Sequence, residues 1–472
     1  MIQTEVLVIG AGPGGYVGAI RLAQLGKKVL LADKDKLGGE CLNYGCIPSK
    51  ALIAAGNLVH KIKKGNFGIE TQGLSVNLEK LQAWKGNLIG GLNRGIQGLL
   101  KGNGVQLFMG EAVFTGPRQA TVTTAQGSDK IAFEKAVIAT GSRPMEIPGF
   151  AVDGNRVIGS KEALELKVLP KSLVVIGGGV IGLEIGTYYA KLGVAVTVVE
   201  LMNQLLPGID PEFVIPVVRS LEKLGVKTYI ETQAVGFQDK GAEAAVTLKT
   251  THGEIELMAE KILLCVGRKP NSQSLGLDAA GVNVDSKGFI QVNEQGETSA
   301  PGIYAIGDVT PGPLLAHRSS AQALAAAQAI AGGPFHSIGA VPWAVFTDPE
   351  LAVVGLTERQ AKEQGLSVLV GKFPFAASGR ALAAGEPDGF VKVVADKNSK
   401  KVLGAGIVGP EASDLISEAA LAVRLGATLD DVASTIHPHP TLPEAFHEAC
   451  EAALGQAIHI LPPRPQPQTI QS

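Results

Sequence analysis

The stretch Gly10-Ala11-Gly12-Pro13-Gly14-Gly15 follows a short β-type run, residues 5–9, and opens a small-residue amphipathic segment that ends near Gly26. A second β-type run then ends at Asp33, an acid 23 residues after the first glycine. Glycines at this spacing permit a tight turn and let a pyrophosphate approach the positive end of a helix. The order of strand, glycine turn, helix, strand and acid predicts a dinucleotide-binding unit.

The same design recurs in the second third of the chain. The run Leu173–Ile176 leads into Gly177-Gly178-Gly179-Val180-Ile181-Gly182, and a helical segment and a further strand then reach Glu200. A lone GxGxxG motif is weak, but the repeated context makes both copies specific and disfavours a degenerate structural repeat. Glu200 can accept hydrogen bonds from both ribose hydroxyls and would repel a 2′-phosphate. Residues 201–204 contain no Arg or Lys, so we expect NAD rather than NADP here.

Two of the four cysteines lie five residues apart, in Gly38-Gly39-Glu40-Cys41-Leu42-Asn43-Tyr44-Gly45-Cys46-Ile47-Pro48-Ser49-Lys50. In a regular helix their Cα atoms would be roughly 8–9 Å apart, whereas a disulfide needs less than about 7 Å. The segment must therefore distort for the pair to close, and Gly45 and Pro48 permit or force this. A zinc half-site or two unrelated thiols are the alternatives. Zinc usually needs four ligands, and the other two cysteines are solitary, so we expect a redox dithiol and no metal.

A dithiol beside a nucleotide site needs a carrier that takes two electrons from sulfur and passes on a hydride. FAD fits that role, and the first nucleotide unit adjoins the cysteines. We therefore assign FAD to the first dinucleotide-binding motif, at residues 10–15, and NAD to the second, at residues 177–182.

Length and composition indicate a large enzyme. The 472 residues imply about three or four domains. The net charge of −2 gives no reason to expect nucleic acid. No apolar run approaches the roughly 20 residues of a membrane span. The N-terminus shows no leader pattern, which predicts a cytoplasmic protein.

With these motifs, the chain resembles the pyridine nucleotide–disulfide oxidoreductases over residues 4–460. The ending Ile47-Pro48-Ser49-Lys50 is that of the lipoamide-type members, whereas the glutathione reductases usually carry Lys before the final Lys. The implied fold class is α/β, with two Rossmann-like dinucleotide-binding domains, a central domain and a C-terminal α+β dimerisation domain. The implied domains are 1–149 for FAD with the disulfide, 150–271 for NAD, 272–341 completing the FAD site, 342–461 for the dimer interface, and a Pro/Gln-rich tail, 462–472, that we expect to be disordered.

The resemblance implies roles for matching residues. Cys41 corresponds to the thiol that meets the substrate, and Cys46 to the thiol against the flavin. Lys50 and Glu184 match an ion pair near the flavin N5. Asp308, at the end of a short strand, matches a flavin-binding acid, although alone it would as often be a turn or cap residue. The predicted FAD contacts are Gly10, Gly12, Gly14, Gly15, Asp33, Lys50, Ala112, Thr140, Gly141, Asp308, Leu315 and Ala316. The predicted NAD contacts are Gly177, Gly179, Val180, Ile181, Gly182, Glu200, Val235 and Gly267.

Three departures from the family pattern affect only details of flavin contact. They are Asp rather than Glu at position 33, one residue fewer before Gly38-Gly39, and Gln322-Ala323 where Glu-Gly is usual.

The base for the thiol chemistry is expected in His437-Pro438-His439-Pro440-Thr441-Leu442-Pro443-Glu444. The thiolate is the nucleophile, so a dithiol substrate needs a base, and a histidine oriented by a carboxylate is the usual solution. By spacing alone either histidine could serve. His439 and Glu444 match the family's His-Pro-Thr-x-x-Glu pattern. His317, His336, His447 and His459 lack such a context.

The resemblance implies oxidation of protein-bound dihydrolipoamide, with reduction of NAD through the Cys41–Cys46 disulfide and FAD. It also implies a homodimer that presents its base to the other subunit. The implied partners are lipoylated proteins of 2-oxo acid dehydrogenase complexes or the glycine cleavage system. A glutathione- or mercuric-reductase-like enzyme is the first alternative, against which Glu200 and Ser49-Lys50 count. An inactive flavoprotein assembly subunit is the second, and the intact catalytic set counts against it.

Overall fold

The structure is a computed structural model that describes residues 1–334 and 337–461. The strands are β1 (Ile2–Ile9), β2 (Val29–Asp33), β3 (Gln106–Gly116), β4 (Gln119–Thr124), β5 (Gly127–Ile138), β6 (Ser142–Pro144), β7 (Val157–Ile158), β8 (Ser172–Ile176), β9 (Ala195–Val199), β10 (Lys227–Tyr229), β11 (Gln233–Asp239), β12 (Ala244–Thr250), β13 (Gly253–Ala259), β14 (Lys261–Leu264), β15 (Arg268–Pro270), β16 (Ile303–Ala305), β17 (Trp343–Val345), β18 (Glu350–Gly355), β19 (Val368–Pro374), β20 (Phe390–Asp396) and β21 (Val402–Gly409).

The helices are α1 (Pro13–Gln24), α2 (Gly39–Asn43), α3 (Cys46–Lys64), α4 (Leu78–Gly102), α5 (Ser160–Glu165), α6 (Val180–Lys191), α7 (Pro211–Lys223), α8 (Leu277–Ala280), α9 (Ala316–Ile330), α10 (Glu358–Glu363), α11 (Gly379–Ala383), α12 (Ala412–Leu425), α13 (Leu429–Ala433) and α14 (Glu444–Leu454). Contacts divide the chain into two compact units. The first comprises residues 1–203 and 228–338, and the second comprises 204–227 and the residues from 339 onward.

The first sheet of the first unit has a parallel core in the order β3, β2, β1, β5, β16, and β4 joins β3 and β5 in antiparallel pairing. Its central strands are apolar and buried on both faces, as a sheet covered on two sides requires. Ile9 of β1 pairs with Ala32 of β2 and Ile138 of β5. This register brings Gly10 and Asp33 to one edge of the sheet.

A second sheet of the same unit repeats this plan, with the order β10, β9, β8, β14, β7. Ile176 of β8 lies opposite Val199 of β9 and Leu264 of β14, all in parallel pairing. Gly177, Glu200 and Cys265, which directly follow these strands, therefore lie at the same end of the sheet. The antiparallel strands β11 to β13 form a separate three-stranded sheet.

The second unit is built on an antiparallel sheet in the order β17, β18, β21, β20, β19. One buried cluster combines residues of this sheet with α12 and α14, including Phe373, Ile407, Ile416 and Phe446. The end of α13 and the start of α14 flank the segment that carries the two candidate base histidines.

The helix α7 belongs to the second unit by its contacts, although the sequence places it within the predicted domain 150–271. The Phe213 ring stacks on Phe390 with centroids 5.1 Å apart. Lys392, which is buried, donates to Glu212. The domain boundaries stay a prediction, and the predicted disordered tail, 462–472, lies outside the described residues, as does His336.

Candidate active site

The first glycine loop is closed toward the sheet and open at the helix end. Gly10 has a φ of +102°, and a Cβ there would overlap the carbonyl group of Ala139. A Cβ on Gly15 would overlap the carbonyl oxygen of Gly10. A Cβ on Gly12 would meet no atom within 4 Å. Gly12 is the N-cap residue of α1, and no side chain caps this helix by a hydrogen bond. The N–H groups of a helix N-terminus, together with the open space at Gly12, fit a pyrophosphate.

The second glycine loop has the same construction. Gly177 has a φ of +108°, and its Cβ would overlap the carbonyl oxygen of Cys265. A Cβ on Gly182 would overlap the carbonyl oxygen of Gly177, whereas one on Gly179 would meet nothing within 4 Å. Gly179 caps α6, whose first turn contains the predicted contacts Val180 and Ile181. The residues present therefore fit two dinucleotides.

Each loop is hydrogen-bonded to an acid at the end of the second strand, Asp33 as the last residue of β2 and Glu200 directly after β9. Asp33 Oδ2 accepts from the Ala11 N–H at 2.6 Å, and Glu200 Oε2 accepts from the Gly178 N–H at 2.7 Å. The other oxygen of Glu200 accepts from the Met202 N–H at 2.8 Å. Burial raises the pKa of Asp33, although its backbone hydrogen bonds oppose the shift. Both carboxylates lie beside the loops, where the ribose of a bound dinucleotide is expected.

The redox segment departs from helical geometry at Gly45, as its sequence predicts. The helix α2 ends at Asn43, and α3 begins at Cys46. Gly45 lies between them with φ −132° and ψ −106°, outside the helical region. Pro48 lies in the first turn of α3, where a missing N–H costs nothing. The two cysteines are therefore on separate helices.

Gly38 and Gly39 place this segment against the first glycine loop. Their φ angles are +82° and +58°, in the left-handed region that favours glycine. The Gly38 N–H donates to the Ala11 carbonyl at 2.8 Å. A Cβ on Gly39 would lie 2.6 Å from Cα of Gly12. The dithiol is thus fixed beside the predicted FAD loop.

The pKa values of the two thiols are shifted in opposite directions. The Cys41 S–H donates to the sulfur of Cys46, and this bond raises the pKa of Cys41 and lowers that of Cys46. Burial opposes the lowering at Cys46, whereas the charge of Lys50 adds to it. Cys46 also begins a 19-residue helix, whose positive end favours a thiolate.

Lys50 and Glu184 connect the redox helix to the second nucleotide unit. Lys50 Nζ lies 2.6 Å from Glu184 Oε2, and the carboxylate is only 5% exposed. Lys50 lies in α3, and Glu184 lies in α6. The predicted ion pair is therefore present, and it joins the helix that begins with Cys46 to the helix that Gly179 caps.

The turn that carries Asp308 also reaches the first glycine loop. A Cβ on Gly14 would overlap Ser319 Oγ and lie 3.1 Å from Ile306 Cδ1. The Gly307 N–H donates to Gln322 Oε1 at 2.8 Å, which gives the unusual Gln322 a local role. Asp308 Oδ2 accepts from Ser142 Oγ at 2.7 Å.

The remaining predicted contacts are dispersed over the first unit. Thr140 follows β5 and donates through Oγ1 to the Asn271 carbonyl at 2.7 Å. Ala112 is buried in the core of the first sheet. The other predicted positions are Gly141, with φ +70°, Leu315 and Ala316 at the N-terminus of α9, the exposed Val235 of β11, and Gly267, with φ +117°.

The two candidate histidines differ sharply. His439 is 80% exposed, and its Nδ1 lies 2.8 Å from Glu444 Oε1. Glu444 Oε2 accepts from the Thr441 N–H at 2.7 Å. Burial opposes it, but this bond and His439 lower the pKa of Glu444. The His437 side chain is only 7% exposed. Its two ring nitrogens already face acceptors, Nε2 the Glu418 carboxylate and Nδ1 the Thr435 carbonyl. His439 is therefore the better candidate base.

Sequence reasoning missed a polar chain beside the cysteines. Arg268 donates from Nη1 to Glu40 Oε1 at 2.8 Å and from Nη2 to Glu40 Oε2, and it donates from Nε to Ser142 Oγ at 2.7 Å. Glu40 directly precedes Cys41, which was the available signal. Its partner is 228 residues away in the chain, so no local pattern indicates the pair.

Residues 4–323 match the family described as pyridine nucleotide-disulphide oxidoreductase, and residues 341–450 match its dimerisation domain. The chain belongs to this family.

Similar proteins include the dihydrolipoyl dehydrogenases of Geobacillus stearothermophilus and Haloferax volcanii. The first is 46% identical over 98% of both chains, and the second is 48% identical over 97% of this chain and 98% of the relative. The crystal structure of LpdA from Mycobacterium tuberculosis is similar with a TM-score of 0.89 and 28% identity, over 96% of this chain and 99% of that one. The HOCl-induced flavoprotein disulfide reductase RclA from Escherichia coli gives 0.84 and 26%, over 95% and 99%.

These comparisons confirm the family and the α/β fold class predicted from the sequence, and at the level of the family they confirm FAD and NAD as cofactors. The dimerisation domain supports the predicted homodimer. Among the described residues, no helix is long and apolar enough to cross a membrane. The cytoplasmic location stays a prediction.

Proposed function

We propose that this chain oxidises dihydrolipoyl groups carried on partner proteins and reduces NAD⁺. The observation that carries the proposal is the Cys41–Cys46 pair. It is held against the first glycine loop at one end and is followed by the Lys50–Glu184 ion pair at the other. The near-complete similarity to dihydrolipoyl dehydrogenases supports the choice of substrate.

The thiol step begins at the base. His439 takes a proton from one substrate thiol on Nε2, while Glu444 holds Nδ1 at 2.8 Å and so fixes the ring. The resulting thiolate attacks Sγ of Cys41, the Cys41–Cys46 bond breaks, and its electron pair stays on Cys46. The second substrate thiol then attacks the substrate sulfur bound to Cys41, the bond from that sulfur to Cys41 breaks, and the proton of the second thiol passes to the departing Cys41 sulfur. Lipoamide leaves, and both enzyme cysteines are reduced.

Cys46 is suited to hold the negative charge. The Cys41 thiol, Lys50 and the N-terminus of α3 all stabilise a thiolate at this position. FAD, when bound at the first loop, supplies a two-electron acceptor that passes the electrons of the dithiol to NAD⁺. Gly12 and Asp33 would hold FAD, whereas Gly179 and Glu200 would hold NAD⁺.

The working unit is a homodimer whose base acts on the disulfide of the other subunit. The dimerisation-domain match and the exposure of His439 support this arrangement. The partners are lipoylated proteins of 2-oxo acid dehydrogenase complexes or of the glycine cleavage system.

The test is an anaerobic addition of dihydrolipoamide, followed by NAD⁺, with the flavin absorbance recorded throughout. We expect bleaching on the first addition, then recovery and NADH formation on the second. If only another thiol, such as glutathione, bleaches the flavin absorbance, the enzyme acts on a different disulfide substrate. No response to any thiol would indicate an inactive assembly subunit.

A further inference from the structure

The helix that carries Cys41 is attached to the rest of the first unit by a two-pronged ion pair. Glu40, the neighbour of Cys41, receives both Nη groups of Arg268. The Arg268 side chain is 15% exposed and that of Glu40 is 34% exposed, so the pair is partly shielded from water. Bidentate Arg–carboxylate pairs of this kind fix orientation as well as charge.

Arg268 is itself rigidly mounted. It begins β15, which pairs with β6 so that Arg268 lies opposite Pro144. Its Nε donates to Ser142 Oγ at 2.7 Å, and its Nη2 donates to the Ser142 carbonyl at 2.9 Å. Ser142 Oγ in turn donates to Asp308 at 2.7 Å. One continuous chain of bonds therefore joins Glu40 to the predicted flavin-binding acid.

The position of Glu40 also affects Cys46. Its carbonyl oxygen accepts from the Tyr44 N–H at 2.8 Å, which closes α2. A Cβ on Gly45 would lie 3.2 Å from the same oxygen. Glu40 thus packs on the break between α2 and α3, which sets the entry of Cys46 into its helix.

We propose that Glu40, held by Arg268, is a positioning residue that keeps Cys41 within bonding reach of Cys46 when the pair is reduced. The helix α2 has only five residues and cannot hold its own shape. A disulfide restrains the two sulfurs by itself, so the clamp restricts mainly the dithiol form. Restricting that form lowers its conformational entropy and favours the disulfide.

The test measures the equilibrium of the FAD-loaded dimer with glutathione at neutral pH. The reaction converts the Cys41–Cys46 disulfide and two glutathione thiols into the enzyme dithiol and one glutathione disulfide. Acid quenching and alkylation then count the enzyme dithiol. In Glu40→Gln we expect the equilibrium to shift toward the dithiol about tenfold, which is about 30 mV for a two-electron couple.

The control is Asp239→Asn, which breaks a comparable pair in the same unit away from the cysteines. Arg156 faces Asp239 with Nη2–Oδ1 at 3.2 Å and Nε–Oδ2 at 3.4 Å. This variant should keep the parent equilibrium. Glu40→Asp keeps the charge, so its equilibrium should lie between that of the parent enzyme and that of Glu40→Gln. A Glu40→Gln equilibrium equal to that of Asp239→Asn would overturn the proposal.

Arg268→Lys provides the test if Glu40→Gln does not fold or loses FAD. It keeps the positive charge but loses the two-pronged fork, so we expect a shift of about threefold in the same direction. An unchanged equilibrium would overturn the positioning role. The inference rests on the proposed function, but the glutathione measurement does not use the lipoyl substrate. A reversible disulfide without dihydrolipoamide turnover would contradict the proposed function alone.

Discussion

At the scale of single residues, chemistry depends on what surrounds two chemically identical thiols. Cys46 begins a long helix and faces Lys50, whereas Cys41 lies on a short helix and donates a hydrogen bond to the sulfur of Cys46. The surroundings therefore lower the pKa of one thiol and raise the pKa of the other.

The first prediction concerns the alkylation of these thiols. Because the pKa of Cys46 is lowered, its thiolate persists to lower pH than that of an ordinary cysteine. In Cys41→Ser the serine hydroxyl can still donate to Cys46 and Lys50 is unchanged, so the iodoacetamide rate should rise with pH at lower values than in Cys46→Ser. The rates are measured on the FAD-free chains by mass spectrometry, with Cys265 and Cys450 replaced by Ala. Superimposed pH profiles would contradict the assignment of the two thiols.

A second prediction separates the two histidines. Glu444→Gln removes the carboxylate that orients His439, so dihydrolipoamide oxidation should fall at least tenfold, within the roughly 10²–10⁴-fold contribution of a positioned base. NADH oxidation by an artificial electron acceptor should not change, because it bypasses the thiol base. The exposed His252→Gln serves as a control in both assays. A normal lipoamide rate in Glu444→Gln would point to His437 instead.

At the scale of elements, the glycine loops show how a pattern becomes a site. In each loop, two glycines pack against backbone carbonyls and one faces open space at the helix end. The closed positions leave no room for a side chain, whereas the open position leaves space for the proposed ligand.

The third prediction uses this difference. Gly179 has φ −79°, and a Cβ there meets nothing, so Gly179→Ala should fold normally and bind FAD. It should weaken NAD⁺ binding about tenfold or more, because the methyl group occupies the pyrophosphate space. Gly186→Ala on the same helix is the control. Its Cβ makes ordinary contacts at 3.5 Å, so NAD⁺ affinity should be unchanged. Thermal unfolding and NAD⁺ titration distinguish the outcomes, and equal affinities would remove the second loop as the NAD site.

The local elements of the site were predictable, and the distant pairings were not. The strands before Gly10 and Gly177, and the break at Gly45, follow from local pattern and backbone chemistry. The packing of α7 with the second unit depends on Phe213 and Glu212 finding partners about 180 residues away. The Glu40–Arg268 pair was missed for the same reason, since its two residues are 228 positions apart in the chain.

At the scale of the whole molecule, the proposed catalytic residues are divided between two units. Cys41 and Cys46 belong to the first unit, whereas His439 and Glu444 belong to the second, about 400 positions later in the chain. A two-fold dimer can supply two identical sites, each with the disulfide of one chain and the base of the other.

The fourth prediction tests this division by mixing inactive subunits. Cys41→Ser and His439→Ala homodimers should each be almost inactive toward dihydrolipoamide. In a heterodimer, the unchanged disulfide of the His439→Ala chain meets the unchanged His439 of the Cys41→Ser chain. One complete site is thus restored, and about half of the parent rate should return. Differently tagged chains are co-expressed, and the heterodimer is isolated before assay. If the isolated heterodimers are as inactive as the two variant homodimers, the base acts on the disulfide of its own chain.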